Sequence, residues 1–211
     1  MYSSRMTVAP VRKRLSREEA RAQTRAALLD AAKTLFARQG FEGTSVEQIA
    51  EAAGYTRGAF YSNFEDKETL LIALIGRCFD DDLAQIQRLG GNLADVSAGF
   101  QQAANIEQEL HREAHLLKME FWMCALRFPA VREAYEGHQA RLREGIGTLI
   151  EGQFAALHRP LPAPAEQLAA VTVALRNGLD TQKLINPQAV PSDLYALTLH
   201  LLMTGSPPAT D

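Results

Sequence analysis

The segment TSVEQIAEAAGYTRGAFYSNFEDKE, residues 44–68, holds two very short helical patterns on either side of one glycine, Gly54. Isolated helices shorter than about 12 residues are marginal in water, so neither pattern is expected to be stable alone. Both must therefore pack against longer helices before and after them. Two short helices joined by a tight turn, at a residue that tolerates positive φ, are typical of a helix-turn-helix.

Capping residues and apolar periodicity predict a chain that is helical nearly throughout. The four N-terminal helix starts are expected at Ser16 with Glu19, Thr44 with Glu47, Thr56, and Asp66. The first helix is expected to span Arg17 to Gln39. Beyond the fourth helix, helical patterns cover residues 93–104, 106–127, 130–158, 165–185 and 192–203. The predicted fold class is therefore all-α.

The chain divides into four expected parts. Residues 1–15 carry four Lys or Arg and no acid, which predicts a disordered basic arm that could lie along a polyanion. The alternative is a solvated tail without a partner. Residues 16–65 form the helix-turn-helix domain, and residues 66–205 form a helical body. Residues 206–211 are expected to be a disordered tail.

The third predicted helix has an outward face of small and polar residues, namely Thr56, Arg57, Gly58, Tyr61 and Ser62. Small residues admit DNA closely, and polar ones reach base edges and phosphates. The charge balance agrees, since residues 1–65 carry ten Lys or Arg against seven Asp or Glu, whereas the rest of the chain carries twelve against eighteen. This face predicts DNA binding, and the alternative is a helical hairpin inside a larger bundle.

Residues 24–74, and above all the run GFEGTSVEQIAEAAGYTRGAFYSNFEDKETLL, resemble the N-terminal domain of TetR-type transcriptional regulators. The resemblance covers roughly a quarter of the chain. It implies an all-helical homodimer with a three-helix DNA-binding head, a fourth connecting helix and a C-terminal body that binds a small molecule.

The same resemblance implies a role for individual residues of the head. Thr44, Tyr61 and Lys67 would each hold a DNA phosphate, while Arg57 and Gly58 would face bases. Asn63 stands where histidine is frequent in the family, and this departure puts its own phosphate contact in question.

A stripe of Met, aromatic and His side chains in the body is the candidate ligand pocket. At helical spacing, His115, Met119 and Trp122 share one face. Met and Trp adapt to irregular apolar guests and His115 can fix a polar atom, so a small, largely apolar effector is expected. Ordinary hydrophobic core is the alternative for each of these residues. The opposite walls are expected to be Phe100, Leu142, Ile146 and Phe154.

The last two helical patterns carry apolar faces that suit a four-helix interface between two subunits. These faces comprise Leu168, Val171, Leu175 and Leu179, followed by Leu194, Leu197, Leu201 and Leu202. A homodimer is expected, because reading a palindromic DNA site with such a head needs two copies. The alternative is that these residues close the core of a monomer.

Together these features predict a transcriptional regulator, acting as a repressor, that binds a palindromic operator as a homodimer and is released by a small effector. The fourth helix is expected to be the only continuous link between the head and the body. A DNA-binding dimer that responds to no small molecule is the main alternative.

Other function classes find little support in the sequence. No glycine-rich phosphate loop or G-x-S-x-G elbow is present, so neither an enzyme nor a cofactor is expected. His111 and His115 lie one turn apart, which leaves a helical metal-binding protein as an alternative, but no third ligand is apparent and no metal site is predicted.

Cys78 and Cys124 lack the spacing of disulfides or metal ligands. With no apolar run of about 18 residues and no signal-peptide core, a cytoplasmic protein without a membrane partner is expected.

Overall fold

The computed structural model describes residues 16–88, 108–186, 188–191 and 193–204. Every regular element in these ranges is a helix, which confirms the all-α fold class. None of the described helices is long and apolar enough to cross a membrane. The described elements are α1 (Arg17–Gln39), α2 (Val46–Ala52), α3 (Arg57–Tyr61), α4 (Lys67–Arg88), α5 (Gln108–Arg127), α6 (Pro129–Ala156), α7 (Ala165–Ile185) and α8 (Leu194–Thr204).

Three of the expectations from the sequence lie outside the described residues. They are the basic arm of residues 1–15, the helical pattern of residues 93–104 with Phe100, and the tail of residues 206–211.

The predicted caps of α1, α3 and α4 are confirmed. The Ser16 hydroxyl accepts from the backbone N–H of Glu19, and the Glu19 carboxylate accepts from the Ser16 N–H, so the capping box of α1 is complete. Hydrogen bonds to the Glu19 carboxylate from the Ser16 backbone N–H, and secondarily from the Ser16 side chain, lower the pKa of Glu19. Thr56 and Asp66 likewise accept from backbone N–H groups in the first turns of α3 and α4.

The predicted start of α2 is wrong by one residue. Ser45 is the N-cap, and its capping-box partner is Gln48 rather than Glu47. Thr44 is instead buried, and its hydroxyl donates to the Gly40 carbonyl at 2.7 Å. Two overlapping capping patterns are present in the sequence, and the burial of Thr44 decides between them.

The turn between α2 and α3 has the backbone that the glycine predicted. Gly54 adopts a φ of +76°, and the Tyr55 N–H donates to the Ala50 carbonyl at 2.8 Å. The two helices have only seven and five residues, so packing against longer helices must stabilise them. Ile49 of α2 and Phe60 of α3 are fully buried in the shared core and provide that packing.

One continuous hydrophobic core joins the head to the body. In addition to residues of α1–α4, it contains the buried side chains of Leu117, Phe121 and Cys124 from α5 and Val131 from α6. Because α5 packs directly on α1, α4 is not the only link between head and body, and that expectation is wrong. A displacement of α5 must therefore be accommodated by the head.

The body has a second core between α4, α6 and α7. Its buried members are Ile86, Ile146, Ile150, Phe154 and Ala169. This core holds the three helices together around the space described below as a ligand cavity.

Both cysteines are free thiols that pack in the protein. Burial raises the pKa of Cys124 to about 12, and burial also raises the pKa of Cys78. The two side chains therefore remain protonated near neutral pH.

Candidate DNA-binding face and ligand cavities

The residues expected to face DNA from α3 lie together on one surface. Thr56, Arg57, Gly58, Tyr61 and Ser62 are all exposed, whereas the opposite side of α3 is buried in the core. We call these five residues the α3 face. The second helix of a helix-turn-helix presents an exposed face of this kind to the major groove.

Arg57 is held in place on the α3 face by two neighbours. Its Nη1 lies 3.0 Å from Oε1 of Glu47 in α2, and its guanidinium carbon lies 5.5 Å from the centroid of the Tyr61 ring. A hydrogen bond to Tyr61 and the charge of Glu47 raise the pKa of Arg57. Both charged side chains remain mostly exposed, so the ion pair is weak and can be exchanged for a contact with DNA.

Asn63 lies apart from the α3 face. Its Nδ2 donates to the Ala59 carbonyl at 2.8 Å, and its own backbone carbonyl accepts from Arg25 of α1. The Arg25 guanidinium in turn lies 4.3 Å from the centroid of the Phe64 ring. Asn63 therefore helps to attach the end of α3 to α1, and the structure does not bring its side chain to the exposed face.

Thr44 and Lys67, both expected to hold phosphates, belong to one internal cluster. The Lys67 Nζ donates to the backbone carbonyls of Phe41 and Thr44, each at 2.7 Å, and lies 4.3 Å from the centroid of the Phe41 ring. An ammonium group has three donors, so two of those of Lys67 are engaged within the protein. Thr44 is buried with its hydroxyl bonded to Gly40. Lys67 thus fixes the turn between α1 and α2, and Thr44 offers no exposed side chain to a phosphate.

Glu120 of α5 bonds the same turn from the side of the body. Its Oε1 accepts from the Phe41 backbone N–H at 2.8 Å. We call Phe41, Lys67 and Glu120 the head clamp. Glu113, two turns earlier in α5, pairs with Arg38 of α1 at 2.8 Å. Nothing in the sequence marks this cluster, because the carboxylate and the backbone group that it bonds are 79 residues apart.

A cavity of about 230 Å³ lies between α4, α5, α6 and α7, beside the start of α8. His115, Leu142 and Ile146, all expected in the pocket, line it. His115 is buried, and its Nε2 lies 3.0 Å from the Thr181 hydroxyl, which itself donates to the Asn177 carbonyl. A hydroxyl has one proton, so Thr181 can accept from His115 Nε2 while it donates to the Asn177 carbonyl. We call this space the first cavity.

Trp122 lines a second cavity of about 430 Å³ between α5, α6 and α7, which opens to the surface at the exposed residues Ala170, Ala174 and Gly178. Its indole N–H donates to the Tyr135 hydroxyl, which also accepts from Gln139. The two cavities adjoin, since Val173 and Asn177 line both. The structure therefore brings the expected residues His115, Trp122, Leu142 and Ile146 to two neighbouring spaces.

Met119 reaches neither cavity, and its expected place in the pocket is not supported by the structure. Its side chain is 36% exposed, and Leu126 on the same side of α5 is 71% exposed. His115, Met119 and Trp122 lie at the border between the buried and the exposed sides of α5. Met119 is on the exposed side of that border.

Large apolar side chains of α7 and α8 are exposed in the single chain. Val171 and Ile185 of α7 are 52% and 83% exposed, and Leu201 and Leu202 of α8 are each 40% exposed. We call these four residues the α7–α8 surface. It overlaps the faces predicted to form a subunit interface, although Leu179 of the same prediction is buried within the chain.

Comparison with known proteins agrees with the architecture of the head. Residues 28–74 match the family model of the bacterial regulatory proteins of the tetR family. The chain is 43% identical over 124 residues to the HTH-type transcriptional repressor AcnR of Corynebacterium efficiens, a match that covers 58% of this chain and 62% of AcnR. It is 28% identical over 189 residues to the HTH-type transcriptional regulator TtgR of Pseudomonas putida, with 84% and 87% of the two chains covered.

Similarity of the whole fold extends beyond the head. A solved structure of FadR from Bacillus subtilis in complex with stearoyl-CoA superposes with a TM-score of 0.66 at 18% identity, covering 86% of this chain and 98% of FadR. Matches to the first three curated relatives span 26%, 38% and 62% of the lengths of those proteins. Residues 28–74 therefore form a domain of the tetR family of bacterial regulatory proteins, and the chain as a whole has a fold similar to that of FadR.

Proposed function

We propose that the protein is a transcriptional repressor that binds a palindromic operator as a homodimer and leaves it when a small molecule enters the body. The observation that carries this proposal is the exposed α3 face, which lies within the residues matched to the family. Binding to chromosomal DNA would place the protein in the cytoplasm.

Each part of the α3 face has a proposed role. On binding DNA, Arg57 leaves its ion pair with Glu47 and contacts the edge of a base. An arginine can donate to both O6 and N7 of guanine. Gly58 has no side chain and lets the backbone approach the groove. Thr56 and Tyr61 place hydroxyl groups within reach of phosphates, which set the register of the head on DNA. The Ser62 hydroxyl donates to the Gly58 carbonyl at 2.9 Å, and it would contact a phosphate by exchanging that bond.

The α7–α8 surface is the proposed dimer interface. These large apolar side chains are exposed on two helices that contact each other, and exposed apolar surface of this kind marks sites of association. Two heads are needed to read the two halves of a palindrome, with their recognition helices about 34 Å apart. Neither α7 nor α8 makes substantial contact with α1, α2 or α3, so a pairing through these helices suits two accessible heads.

The two cavities of the body are the proposed effector site. The repressor name of AcnR and the stearoyl-CoA complex of FadR each describe a similar protein, and they support repression and ligand binding here by analogy. In this chain the support comes from His115 and Trp122, which line adjoining spaces large enough for a small molecule.

The proposed signal passes through α5. One side of this helix lines the cavities with His115 and Trp122, and another side bonds the head through Glu113 and Glu120. A ligand that displaces α5 would therefore move the turn before α2. Because both heads must fit successive major grooves, a small change in their separation lowers affinity, and coupling of about 1–3 kcal/mol is the usual scale.

Capture of genomic DNA by the purified protein tests this function. Sheared DNA from the source genome is bound to the protein at fixed salt, and the retained fragments are sequenced. A few fragments that share an inverted repeat are expected, with affinity about 10³-fold or more above a scrambled duplex when measured by fluorescence anisotropy. Uniform retention of all fragments, with equal affinity for the repeat and its scrambled version, would contradict the proposal.

A further inference from the structure

The second cavity opens to solvent along α7. Ala170, Ala174 and Gly178 line it and are exposed, and none of the three has a side chain beyond Cβ. We call these three residues the opening. A Cβ added at Gly178 would meet nothing within 4 Å, so no other described residue covers the helix at that point. Sites for small molecules enclose about 70–90% of the ligand surface, which the described part of a single chain does not achieve at this opening.

The side of α7 that contains the opening is uncharged. After Glu166 in the first turn, the exposed residues of this helix are Gln167, Ala170, Val171, Ala174, Gly178, Gln182 and Ile185. The neighbouring helix α6 instead exposes charged side chains along its length, namely Arg132, Glu133, Glu136, Arg141, Glu144 and Glu151. Because charged residues are depleted at the centre of subunit interfaces, the exposed side of α7 has the composition of an interface.

Two residues of the α7–α8 surface, Val171 and Ile185, lie on the same side of α7 as the opening. They are 14 residues apart in the sequence. At 1.5 Å and 100° per residue they are separated by about 21 Å along the axis, and Ala174 and Gly178 lie between them within about 60° around the helix. A stable interface buries about 800 Å² per partner, a patch roughly 30 Å across. A subunit that covers both Val171 and Ile185 therefore also covers Ala174 and Gly178.

We propose that a second copy of this chain completes the second cavity and supplies its outer wall over the opening. This inference rests on the homodimer proposed above, and it adds that the cavity is enclosed only in the dimer. In a symmetric pair, each subunit closes the cavity of the other. An effector in this cavity contacts both subunits, so its binding and the association of the subunits strengthen each other by the same factor.

The fluorescence of Trp122 reports whether the cavity is closed, because this residue lines it and is the single tryptophan of the chain. Quenching by acrylamide is measured on the unmutated dimer and on Leu201→Glu, and light scattering establishes the assembly state of each. The quenching rate constant is expected to be about threefold or more higher in the monomer, since an enclosed site leaves only about 10–30% of its contents accessible. Circular dichroism must show that the variant is folded.

A thiol placed in the opening gives an independent measurement. Gly178→Cys is compared with Gly152→Cys, because Gly152 is an exposed glycine of α6 where an added Cβ also meets nothing within 4 Å. Burial raises the pKa of both natural thiols, so they react slowly with a bulky maleimide. The thiol at position 178 should react about threefold or more slowly in the dimer than in combination with Leu201→Glu, by the same estimate of access. The thiol at position 152 should react equally in both.

The outcomes separate this inference from the function on which it rests. Equal quenching and equal labelling in dimer and monomer would overturn the shared cavity and leave the dimer intact. Protection of position 178 in the monomer would mean that the chain covers its own opening, which would also overturn the inference. A dimer of the unmutated chain that Gly178→Cys abolishes and Gly152→Cys keeps would support it, because the partner must then contact position 178. A chain that is monomeric at every concentration, or a dimer that survives both Val171→Glu and Leu201→Glu, would contradict the proposed interface and this inference together.

Discussion

The backbone N–H of Phe41 donates to Oε1 of Glu120 at 2.8 Å, which joins the turn before α2 to a helix of the body. Lys67 bonds the backbone carbonyl of the same residue, so both polar groups of the Phe41 backbone are fixed by side chains. The helix-turn-helix is thus held from two sides, by the first residue of α4 and by α5. This arrangement gives the body a second route to the head beside α4.

Removing the carboxylate of Glu120 should loosen the head. Glu120→Ala leaves the partly buried Phe41 N–H without its acceptor, at a cost of about 1–3 kcal/mol in the free energy of unfolding. Hydrogen exchange of the peptide covering residues 40–45 is expected to accelerate, and operator affinity is expected to fall. Glu136→Ala, which removes an exposed carboxylate from α6, is the matched control and should change neither quantity. Unaltered exchange in Glu120→Ala would mean that the contact does not constrain the turn.

Lys67 should act on the stability of the head more than on phosphates. Lys67→Met removes the two donors that bond Phe41 and Thr44, and it should lower the free energy of unfolding by about 2 kcal/mol. Operator and random DNA should lose affinity together while the dependence of affinity on salt stays the same. A phosphate contact behaves differently, since its loss reduces the salt slope by about 1. If Lys67→Met left the midpoint of unfolding unchanged and reduced the dependence of DNA affinity on salt, Lys67 would instead be a phosphate contact.

Arg57 should carry sequence discrimination. Arg57→Ala is expected to relax discrimination at one or two base pairs by about 1–3 kcal/mol each, because a base contact is lost from the α3 face. Competition binding against operators with single base-pair changes measures this directly. Ser62→Ala on the same face is the control, and it should weaken binding without changing base preference. If Arg57→Ala lowered the affinity for operator and random DNA equally, Arg57 would contact the phosphate backbone of DNA rather than the bases.

The α7–α8 surface should hold two subunits together. Val171→Glu or Leu201→Glu places a charge on a side chain that is exposed in the single chain, so each chain should still fold. In the dimer the charge would be buried without a partner, at a cost of about 3–5 kcal/mol, and a monomer that binds the operator poorly is expected. Leu126→Glu alters an exposed residue of α5 outside this surface and should remain dimeric. Light scattering that finds an intact dimer for both interface variants would refute the assignment.

Local signals were sufficient to predict most of the head. The capping residues Ser16, Thr56 and Asp66 and the positive φ of Gly54 depend on residues within four positions, so the sequence displays them directly. Where two capping patterns overlapped at Thr44 and Ser45, the choice depended on burial, which is a property of the assembled fold.

Contacts between distant segments could not be predicted in the same way. Glu120 and Phe41 meet only because α5 packs on α1, and neither residue has a local partner that suggests the contact. For the cavities, helical spacing grouped His115, Met119 and Trp122 on one face, but the position of the neighbouring helices determined that Met119 lies outside. The polar lining of the first cavity around Arg176 was missed for the same reason, since its residues come from four different helices.

Selection from a pool of random 30-base-pair duplexes tests most directly whether this chain reads DNA as a pair of α3 faces. The protein is incubated with the pool at fixed salt, bound duplexes are amplified, and the cycle is repeated in parallel with Arg57→Ala. We predict enrichment of an inverted repeat whose half-site centres lie about 10 base pairs apart or a multiple of that spacing, with information lost at one or two positions per half-site in the variant. A pool that shows no enriched sequence, or a single site without symmetry that the variant enriches equally well, would contradict the account.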